Sequence, residues 1–260
     1  MISLITVGMN HRKYIEDLYN SLFAEISKGD EVEAIYVDNC STDDSVSFIR
    51  EHYPQVKIIQ NSKPLGFGEN NNKGVRNSKG DYICIINPDI VFTKGSFRQI
   101  MEMFQVRNKS KYIVAPRLLN PDKTLQYSVR RFATLKMMLH RWGAWVNDNS
   151  EDSSVKDYLY KDLDPTKQHE VDWAMGAALF MPRDVYLQLG GFDQRYFLYM
   201  EDEDLCLRAW KQEIPVLFYP HIELIHNHLR GSSHLSINTW WHLKSLALFY
   251  WIHGINVKRK

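Results

Sequence analysis

Four consecutive acidic residues, Glu201 to Asp204, are the residues of this chain most readily connected with chemistry. Apolar and aromatic residues precede the run at 197–200 and follow it at 205–207, so part of the run is expected to face the interior. Carboxyl groups that lose water and repel one another have raised pKa values, which is one way to make a general base. The alternative is an ordinary helix N-terminus, where acids complement the helix dipole. We predict a catalytic base here, followed by a helix over 204–212.

Two further carboxylates follow predicted strands. Asp38 comes directly after the apolar segment 33–37, and Asp89 ends the sequence Asn87-Pro-Asp that follows the apolar segment 82–86. A carboxylate at a strand end can hold a divalent cation together with substrate phosphates. The carboxylate of Asp38 can accept hydrogen bonds from a uracil or thymine ring or from a ribose hydroxyl. A Pro-Asp turn and an Asx turn are the structural alternatives for these two residues.

Two polar segments could complete such a site. The stretch 66–74 is rich in glycine and asparagine and opens a predicted helix, so its backbone N–H groups and amides could face a polar ligand. It matches neither the dinucleotide-binding nor the ATP-binding glycine pattern, which argues against a dehydrogenase and an ATPase. The segment 226–234 combines imidazoles with a guanidinium group and hydroxyls after a predicted strand at 216–219. An imidazole could complete a metal site begun by Asp89, and Arg230 could clamp a phosphate, although a surface loop that happens to contain histidines is the alternative.

Composition narrows the class of protein. The 260 residues are 44% apolar and 24% charged, as in an ordinary globular protein. The 32 basic residues are balanced by 31 acidic ones, which argues against a protein that coats nucleic acid. The three cysteines are far apart in sequence, which favours a reducing compartment. No apolar stretch approaches the roughly 20 residues that span a bilayer. We expect a cytoplasmic protein, either free or peripheral to the inner face of the membrane.

The order of predicted elements gives the fold class. Strands at 2–7, 33–37, 56–60 and 82–86 alternate with helices at 14–26, 44–52 and 70–78, which predicts an α/β fold with a mostly parallel central sheet and helices on both faces. Ligands of such sheets bind beyond the carboxyl ends of the strands. Further along we expect a surface loop at 147–157, a core strand at 173–181, a short helix at 182–189 and a tryptophan-rich helix at 237–253.

In these motifs the chain resembles the inverting glycosyltransferases of family 2, in particular their bacterial rhamnosyltransferase-like branch. Segment 4–10 is similar to the family's first strand and donor loop, segment 37–43 to its V-D-N-x-S-x-D motif, and segment 61–74 to its N-x-G-F-x-x-x-N-x-G motif. Asn87-Pro-Asp89 takes the place of its metal-binding D-x-D. Residues 190–208 resemble its long G-G-F-D-E-x-F-F-x-x-x-E-D-x-D-L-x-x-R signature, whose spacing is the most specific signal. The resemblance implies the GT-A fold, with a Rossmann-like nucleotide-binding half and an acceptor-binding half.

The resemblance also implies roles for individual residues. Asp202 is the implied catalytic base, with Glu201 and Asp204 as supporting acids. The implied cofactor, Mg²⁺ or Mn²⁺, would be held by Asp89 and His226, with His228 less favoured. The implied donor-binding set is Thr6, Val7, Asn10, Asp38, Asn39, Gly66, Phe67, Asn72 and Asn87. The implied acceptor or diphosphate set is Trp173, Gly176, Asp204, Arg230 and Ser232.

The function implied is transfer of a sugar in bacterial cell-surface polysaccharide synthesis, such as O-antigen or capsule. L-rhamnose from dTDP-rhamnose is the preferred donor, and a glycan or polyprenyl-diphosphate-linked molecule is the acceptor. A transferase of the same family for UDP-hexoses or galactofuranose is one alternative. A catalytically inactive sugar-nucleotide-binding module is the alternative from another class. A nucleotidyltransferase is disfavoured because its G-x-G-T-R loop is missing after the first strand.

We expect one domain over 1–260, divided into a nucleotide-sugar half (1–118), an acceptor and catalytic half (119–236) and a C-terminal amphipathic helix with a basic tail (237–260). No nucleic-acid partner is expected. Tryptophan and leucine at helical spacing in the last segment allow three interpretations, which are packing onto the core, a homodimer interface and contact with an anionic membrane surface.

Overall fold

The computed structural model describes residues 1–107, 110–135, 137–138, 150–227 and 237–259. The first part of the chain alternates strands and helices as the sequence predicts. Parallel pairing joins strand β1 to both β2 and β4, and β2 to β3. These elements are β1 (Ile2–Gly8), α1 (Arg12–Glu25), β2 (Val32–Asp38), α2 (Ser45–His52), β3 (Lys57–Gln60), α3 (Phe67–Arg76) and β4 (Tyr82–Ile86).

The remaining elements extend the same sheet and cover it. They are β5 (Ile90–Phe92), α4 (Ser96–Val106), β6 (Ile113–Leu119), β7 (Val129–Arg130), α5 (Ser153–Tyr158), β8 (His169–Glu170), β9 (Trp173–Ala174), β10 (Ala178–Pro182), α6 (Arg183–Gln188), α7 (Glu201–Lys211), β11 (Val216–His226) and α8 (Ile237–His253). The main sheet has the order β3-β2-β1-β4-β10-β6-β11-β5, with β8 paired to β11, while β7 and β9 form a separate pair. Strand β10 is antiparallel to both neighbours and β5 is antiparallel to β11, whereas β11 and β6 are parallel.

Two hydrophobic cores lie on opposite faces of this sheet. Successive side chains of a strand point to opposite faces, so Leu4 belongs to one core and Ile5 to the other. Helices α1 and α4 cover the face of Leu4, and α3 and α7 supply residues to the face of Ile5. The predicted α/β architecture with helices on both faces is confirmed. Within the described residues, none of the helices is both long and apolar enough to cross a membrane.

Several predicted boundaries were wrong. Helix α3 begins at Phe67 and α7 at Glu201, three residues earlier than predicted in each case, because polar residues occupy the first turns. The predicted strand 173–181 is broken at 175–177, and the strand predicted at 216–219 continues to His226. Within the predicted loop 147–157, residues 153–158 form α5, whose N-terminus is capped by the carboxylate of Asp152 accepting from the N–H of Ser154 at 2.8 Å. Residues 147–149 lie outside the described part.

Candidate active site

The carboxyl ends of the parallel strands meet at one edge of the sheet, and the loops there are joined to one another. Gly8 at the end of β1 pairs with Asp38 at the end of β2, and the Gly8 carbonyl accepts from the N–H of Asn39 at 2.8 Å. Asn10, in the left-handed region with φ 57°, accepts from the N–H of Thr42 at 2.7 Å. Asp38 is buried and accepts from the N–H of Ser41 at 3.3 Å. The structure therefore brings Asn10, Asp38 and Asn39 together.

Other predicted donor residues hold neighbouring segments in place. The side-chain oxygen of Asn39 accepts from the N–H of Leu65 at 2.8 Å, and its amide nitrogen donates to the Leu65 carbonyl at 3.0 Å, which fixes the loop before α3. Thr6 is buried within β1, and Val7 beside it is half-buried against the core. Both lie inside the strand rather than in the loop that follows it.

Gly66 and Phe67 join α3 to the segment that precedes the acidic run. The N–H of Phe67 donates to the Phe197 carbonyl at 2.9 Å. A Cβ atom at Gly66 would lie only 2.8 Å from that same carbonyl oxygen, so glycine permits the close approach of the two backbones. The ring of Phe67 meets that of Phe192 edge-on, with centroids 5.8 Å apart.

Asn72, which the resemblance assigns to the donor side, connects two segments of the fold. Its amide oxygen accepts from the hydroxyl of Tyr186 at 2.6 Å and from the N–H of Phe192 at 2.9 Å. Its amide nitrogen donates to the Phe192 carbonyl at 2.8 Å. Because Asn72 is buried and bonded in this way, it ties α3 to the turn at 190–192.

Asp89 and His226 face each other across two paired strands. His226 pairs with Ile90 in the β11–β5 ladder, and the N–H of Asn227 donates to the Asp89 carbonyl at 2.9 Å. The side chains approach to 3.4 Å between His226 Nε2 and Asp89 Oδ1, longer than a well-formed hydrogen bond. Burial alone would raise the pKa of the Asp89 carboxyl, but the imidazole of His226 holds it below its ordinary value, so the group is ionised at neutral pH.

The residues present fit a divalent cation bound with the help of a ligand. One carboxylate and one imidazole suit Mn²⁺ or Mg²⁺ when substrate phosphates and water complete the coordination. Oδ1 of Asp89 is buried and accepts no hydrogen bond from the described residues, which leaves it able to bind a cation. No cluster of three or more histidine, cysteine or acidic side chains with metal-binding geometry occurs within the described ranges.

The acidic run forms the first turn of α7. Two residues before it, Tyr199 and Met200, both occupy the left-handed region, with φ of 70° and 68°. Backbone strain of this kind persists only where the surroundings impose it, and it is frequent at functional sites. Helix α8 provides part of that support, since the ring of Trp241 stacks on Phe197 at 4.4 Å and the hydroxyl of Ser245 donates to the Leu198 carbonyl at 2.8 Å. Core packing of the C-terminal helix is thus one of its functions.

Asp202 differs from its three acidic neighbours in exposure, since it is half-buried and they are buried. Its carboxylate accepts from the backbone N–H of Gly176 at 2.9 Å and of Glu203 at 2.9 Å. Burial raises its pKa, while these N–H groups and the charge of Arg130 oppose the rise. Asp202 is therefore a supported carboxylate that solvent can reach, which suits proton abstraction.

Glu201 and Glu203 are buried acids with raised pKa values. Burial raises the pKa of Glu201 well above its ordinary range, and the charge of Asp202 adds to the effect. Burial raises the pKa of Glu203 to about 8, although the N–H of Ala133 donates to its carboxylate at 2.9 Å. Burial therefore favours the protonated form of both side chains, and Glu203, with a pKa of about 8, is largely protonated at neutral pH.

Asp204 and Trp173, which the resemblance assigns to the acceptor side, both make contacts within the fold. Asp204 is 1% exposed and accepts from Arg208 Nε at 2.7 Å, and it also contacts His253 Nε2 at 2.7 Å. Arg208 in turn donates to the Gly191 carbonyl at 2.8 Å, so this carboxylate holds α7, α8 and the glycine turn together. The indole N–H of buried Trp173 donates to the Arg131 carbonyl at 2.8 Å. Arg230, Ser232 and His228 lie outside the described residues.

The structure places two further ionisable residues beside the predicted site residues, Arg130 and His11, for which the sequence carried little signal. Arg130 pairs with Trp173 in the β7–β9 ladder and lowers the pKa values of Asp202 and Glu203 through its charge. The ring of His11 has a pKa lowered by burial, while the charges of Asp89 and Asp43 act against that shift. The one sequence feature that could have indicated His11 is its position shortly after the end of the first strand.

The fold and the sequence define the class of protein. Residues 3–144 match the family model described as "Glycosyl transferase family 2", so the chain belongs to that family. It is 30% identical over 256 residues to "Rhamnosyltransferase WbbL" of Escherichia coli (strain K12), covering 94% of this chain and 90% of that protein. It is 28% identical to "N-acetylglucosaminyl-diphospho-decaprenol L-rhamnosyltransferase" of Mycobacterium tuberculosis (strain ATCC 25618 / H37Rv) over 236 residues, 84% of this chain and 74% of the other.

The solved structures agree on the fold. "Mannosyltransferase PcManGT from Pyrobaculum calidifontis in complex with GDP-Man and Mn2+" superposes with a TM-score of 0.68 at 14% identity, covering 100% of this chain and 65% of that one. The predicted GT-A fold is confirmed, and the chain is a family 2 glycosyltransferase of the rhamnosyltransferase-like kind.

Glu203→Gln tests the burial of the acidic run. The folded state keeps the Glu203 proton up to about pH 8, whereas the unfolded chain releases it near 4.5, so stability is lost as the pH rises between these values. The amide of the variant stays neutral throughout and can still accept from Ala133. We expect the melting temperature of the wild type to fall more steeply from pH 5 to pH 8 than that of the variant. The exposed Glu51→Gln control should follow the wild type, and equal slopes for wild type and Glu203→Gln would contradict the assignment.

Proposed function

We propose that the protein is an inverting glycosyltransferase that moves a sugar from a nucleoside diphosphate to a hydroxyl of a glycan or lipid-linked acceptor in bacterial cell-surface polysaccharide synthesis. One observation carries the proposal. Gly176 and Ala177 connect the two parts of the proposed site, because the N–H of Gly176 donates to Asp202 and the carbonyl of Ala177 accepts from the N–H of Asn87 at 2.8 Å. The solvent-accessible base is thereby linked to the loop that carries Asp89.

The reaction would be a single displacement. Asp202 removes the proton of the acceptor hydroxyl while the oxygen attacks the anomeric carbon. The bond from that carbon to the diphosphate oxygen breaks on the opposite face, so the configuration inverts and the nucleoside diphosphate leaves. Asp89 and His226 would hold Mg²⁺ or Mn²⁺, whose chemistry when bound is neutralisation of charge on the leaving group. The raised pKa values of Glu201 and Glu203 favour their neutral forms, which limits further negative charge near the reacting hydroxyl.

The donor proposed first is dTDP-L-rhamnose. Support comes from the two rhamnosyltransferases above, and the name of the mycobacterial relative also describes an acceptor joined to decaprenol through a diphosphate. A UDP-hexose or galactofuranose donor is the alternative within the family, since Asp38 can accept from the imide N–H of uracil or thymine alike. A catalytically inactive nucleotide-sugar-binding module is the alternative from another class, and the supported carboxylate of Asp202 argues against it. We propose 1–118 as the nucleotide-sugar half and 119–236 as the acceptor half of one domain.

The exposed face of α8 suits peripheral attachment to the inner face of the cytoplasmic membrane. Trp240, Leu243 and Trp251 are 54%, 38% and 79% exposed, and Lys244 is exposed on the same side. The sequence from 237 to 260 contains no acidic residue, so the face matches an anionic lipid surface in both polarity and charge. A homodimer through this face is the alternative.

A thermal-shift panel tests the donor site. We expect dTDP or UDP to raise the melting temperature of the wild type, and Mn²⁺ to increase the shift, because a ligand at 100 times its Kd stabilises a protein by about 2.7 kcal/mol. GDP serves as the third nucleotide. Asp89→Asn should lose the increment due to Mn²⁺, while the exposed Asp162→Asn control should keep it. The absence of a shift with every nucleotide, with and without Mn²⁺, would contradict the proposal.

Cosedimentation with vesicles that contain anionic lipid tests the α8 face. The wild type should pellet with the vesicles, and Trp240→Ser/Trp251→Ser should pellet much less because it loses apolar area and interfacial aromatics. Leu187→Ser, at an exposed apolar residue of α6, is the matched control and should bind as the wild type does. Wild-type protein that stays in the supernatant would contradict membrane contact, and a dimer lost in the double variant would favour the homodimer.

A further inference from the structure

A tight turn between β6 and β7 leads towards His226. The N–H of Asn120 donates to the Thr124 carbonyl and the N–H of Lys123 to the Asn120 carbonyl, both at 2.8 Å, and Lys123 has φ 65°. Beyond the turn, the N–H of Gln126 donates to the Leu118 carbonyl at 2.9 Å. The Gln126 side chain then reaches His226, since its Oε1 lies 2.6 Å from His226 Nδ1.

Four hydrogen bonds connect this imidazole to a surface carboxylate. The Thr124 hydroxyl donates to Asp122 at 2.6 Å, and the amide nitrogen of Asn120 donates to the Thr124 hydroxyl oxygen at 2.9 Å. The amide nitrogen of Gln126 donates to Asn120 Oδ1 at 3.1 Å, and Gln126 Oε1 faces His226. We call this series of bonds, from Asp122 through Thr124, Asn120 and Gln126 to His226, the relay.

The direction of the relay follows from its first member. Hydrogen bonds from the Thr124 hydroxyl and N–H lower the pKa of the exposed Asp122 carboxyl, so it is ionised at neutral pH and can only accept. Thr124 must therefore donate to it and accept from the amide nitrogen of Asn120. The amide oxygen of Asn120 then faces Gln126, so the amide nitrogen of Gln126 must donate to it. Only the carbonyl oxygen of Gln126 remains for His226, and a carbonyl oxygen cannot donate.

We propose that Gln126 is a positioning residue that keeps a proton on Nδ1 of His226, so that Nε2 is the nitrogen presented to Asp89. The backbone already fixes the place of the ring, because His226 pairs with Ile90 and Asn227 donates to the Asp89 carbonyl. The location of the ring proton is what the relay adds. When the ring is neutral, its lone pair lies on Nε2, 3.4 Å from Asp89 Oδ1, which is the nitrogen that would bind a cation shared with the carboxylate.

The inference rests on the proposed function only where it concerns the cation that Asp89 and His226 would hold. The tautomer of His226 is a property of the protein alone. A second role is open to Gln126, namely joining the loops without any effect on the imidazole. Measurements of the tautomer and of metal affinity separate these two roles, because a joining role would affect stability and leave the tautomer unchanged.

The tautomer is measured by ¹⁵N NMR of protein labelled at histidine, at a pH where the His226 ring is neutral and with His226→Asn to assign its signals. We expect the Nδ1–H form in the wild type and in Gln126→Glu, whose carboxylate also accepts. Gln126→Leu should lose this preference. Thr124→Val, at an exposed position, should give a mixture of tautomers because the side-chain amides of Asn120 and Gln126 can then rotate by 180°. This variant also tests the inference if Gln126→Leu does not fold. Gln188→Leu, in an exposed glutamine pair, is the matched control.

Mn²⁺ affinity in the presence of the nucleoside diphosphate, measured by EPR of the free ion, is the second readout. Gln126→Leu should bind Mn²⁺ about 10–100-fold more weakly than the wild type, and Gln126→Glu and Gln188→Leu should remain close to it. An Nε2–H form in the wild type, or an Nδ1–H form that persists in Gln126→Leu, would overturn the inference. A wild type with the Nδ1–H form that binds no Mn²⁺ with any nucleotide would overturn the cation site of the proposed function, while the role of Gln126 would stand.

Discussion

Four adjacent carboxyl groups at the start of one helix, three of them buried and that of Asp202 half-buried, are the constraint on which the site depends. Asp202 accepts from the Gly176 N–H, Glu203 accepts from the Ala133 N–H, and Asp204 pairs with Arg208 and His253. Burial raises the pKa of the Glu201 carboxyl and so favours its protonated form. Buried charge is costly unless it is paired, hydrogen-bonded or neutralised, so these partners must be in place before α7 can begin at Glu201. Partners of this kind come from the segments 130–133 and 173–176 and from helix α8.

Sheet topology connects the acidic run to the second part of the site, which contains Asp89 and His226. Strand β10 is inserted antiparallel between β4 and β6, and the turn before it carries Gly176 and Ala177. This turn bonds to Asp202 on one side and to the loop after β4 on the other. The pairing of β5 with β11 then sets Asp89 opposite His226. An antiparallel insertion in a mainly parallel sheet thus joins a base to a candidate cation site without any direct contact between them.

The sequence predicted the elements whose pattern is local. Alternating strands and helices up to Ile86, and the burial of most of the acidic run, were readable because they depend on neighbouring residues. Strand β6 was not predicted, since Pro116 and Arg117 interrupt its apolar run. The partners of Asp204 and Trp173 were also missed, because His253 is 49 residues from Asp204 and Arg131 is 42 from Trp173. The same holds for Gln126, which meets His226 across 100 residues.

The role of Asp202 is the central claim, and sugar transfer by Asp202→Asn tests it most directly. The variant removes the proton acceptor, while its side-chain oxygen can still accept from Gly176, so nucleotide binding should be retained. The measurement is the turnover of nucleotide sugar to glycosylated acceptor, with Glu201→Gln assayed beside it as the same change from carboxyl to amide at the neighbouring residue. A general base contributes about 10²–10⁴-fold, so turnover by Asp202→Asn should fall by that factor and turnover by Glu201→Gln should fall much less. Unchanged turnover in Asp202→Asn with intact donor binding would contradict the account.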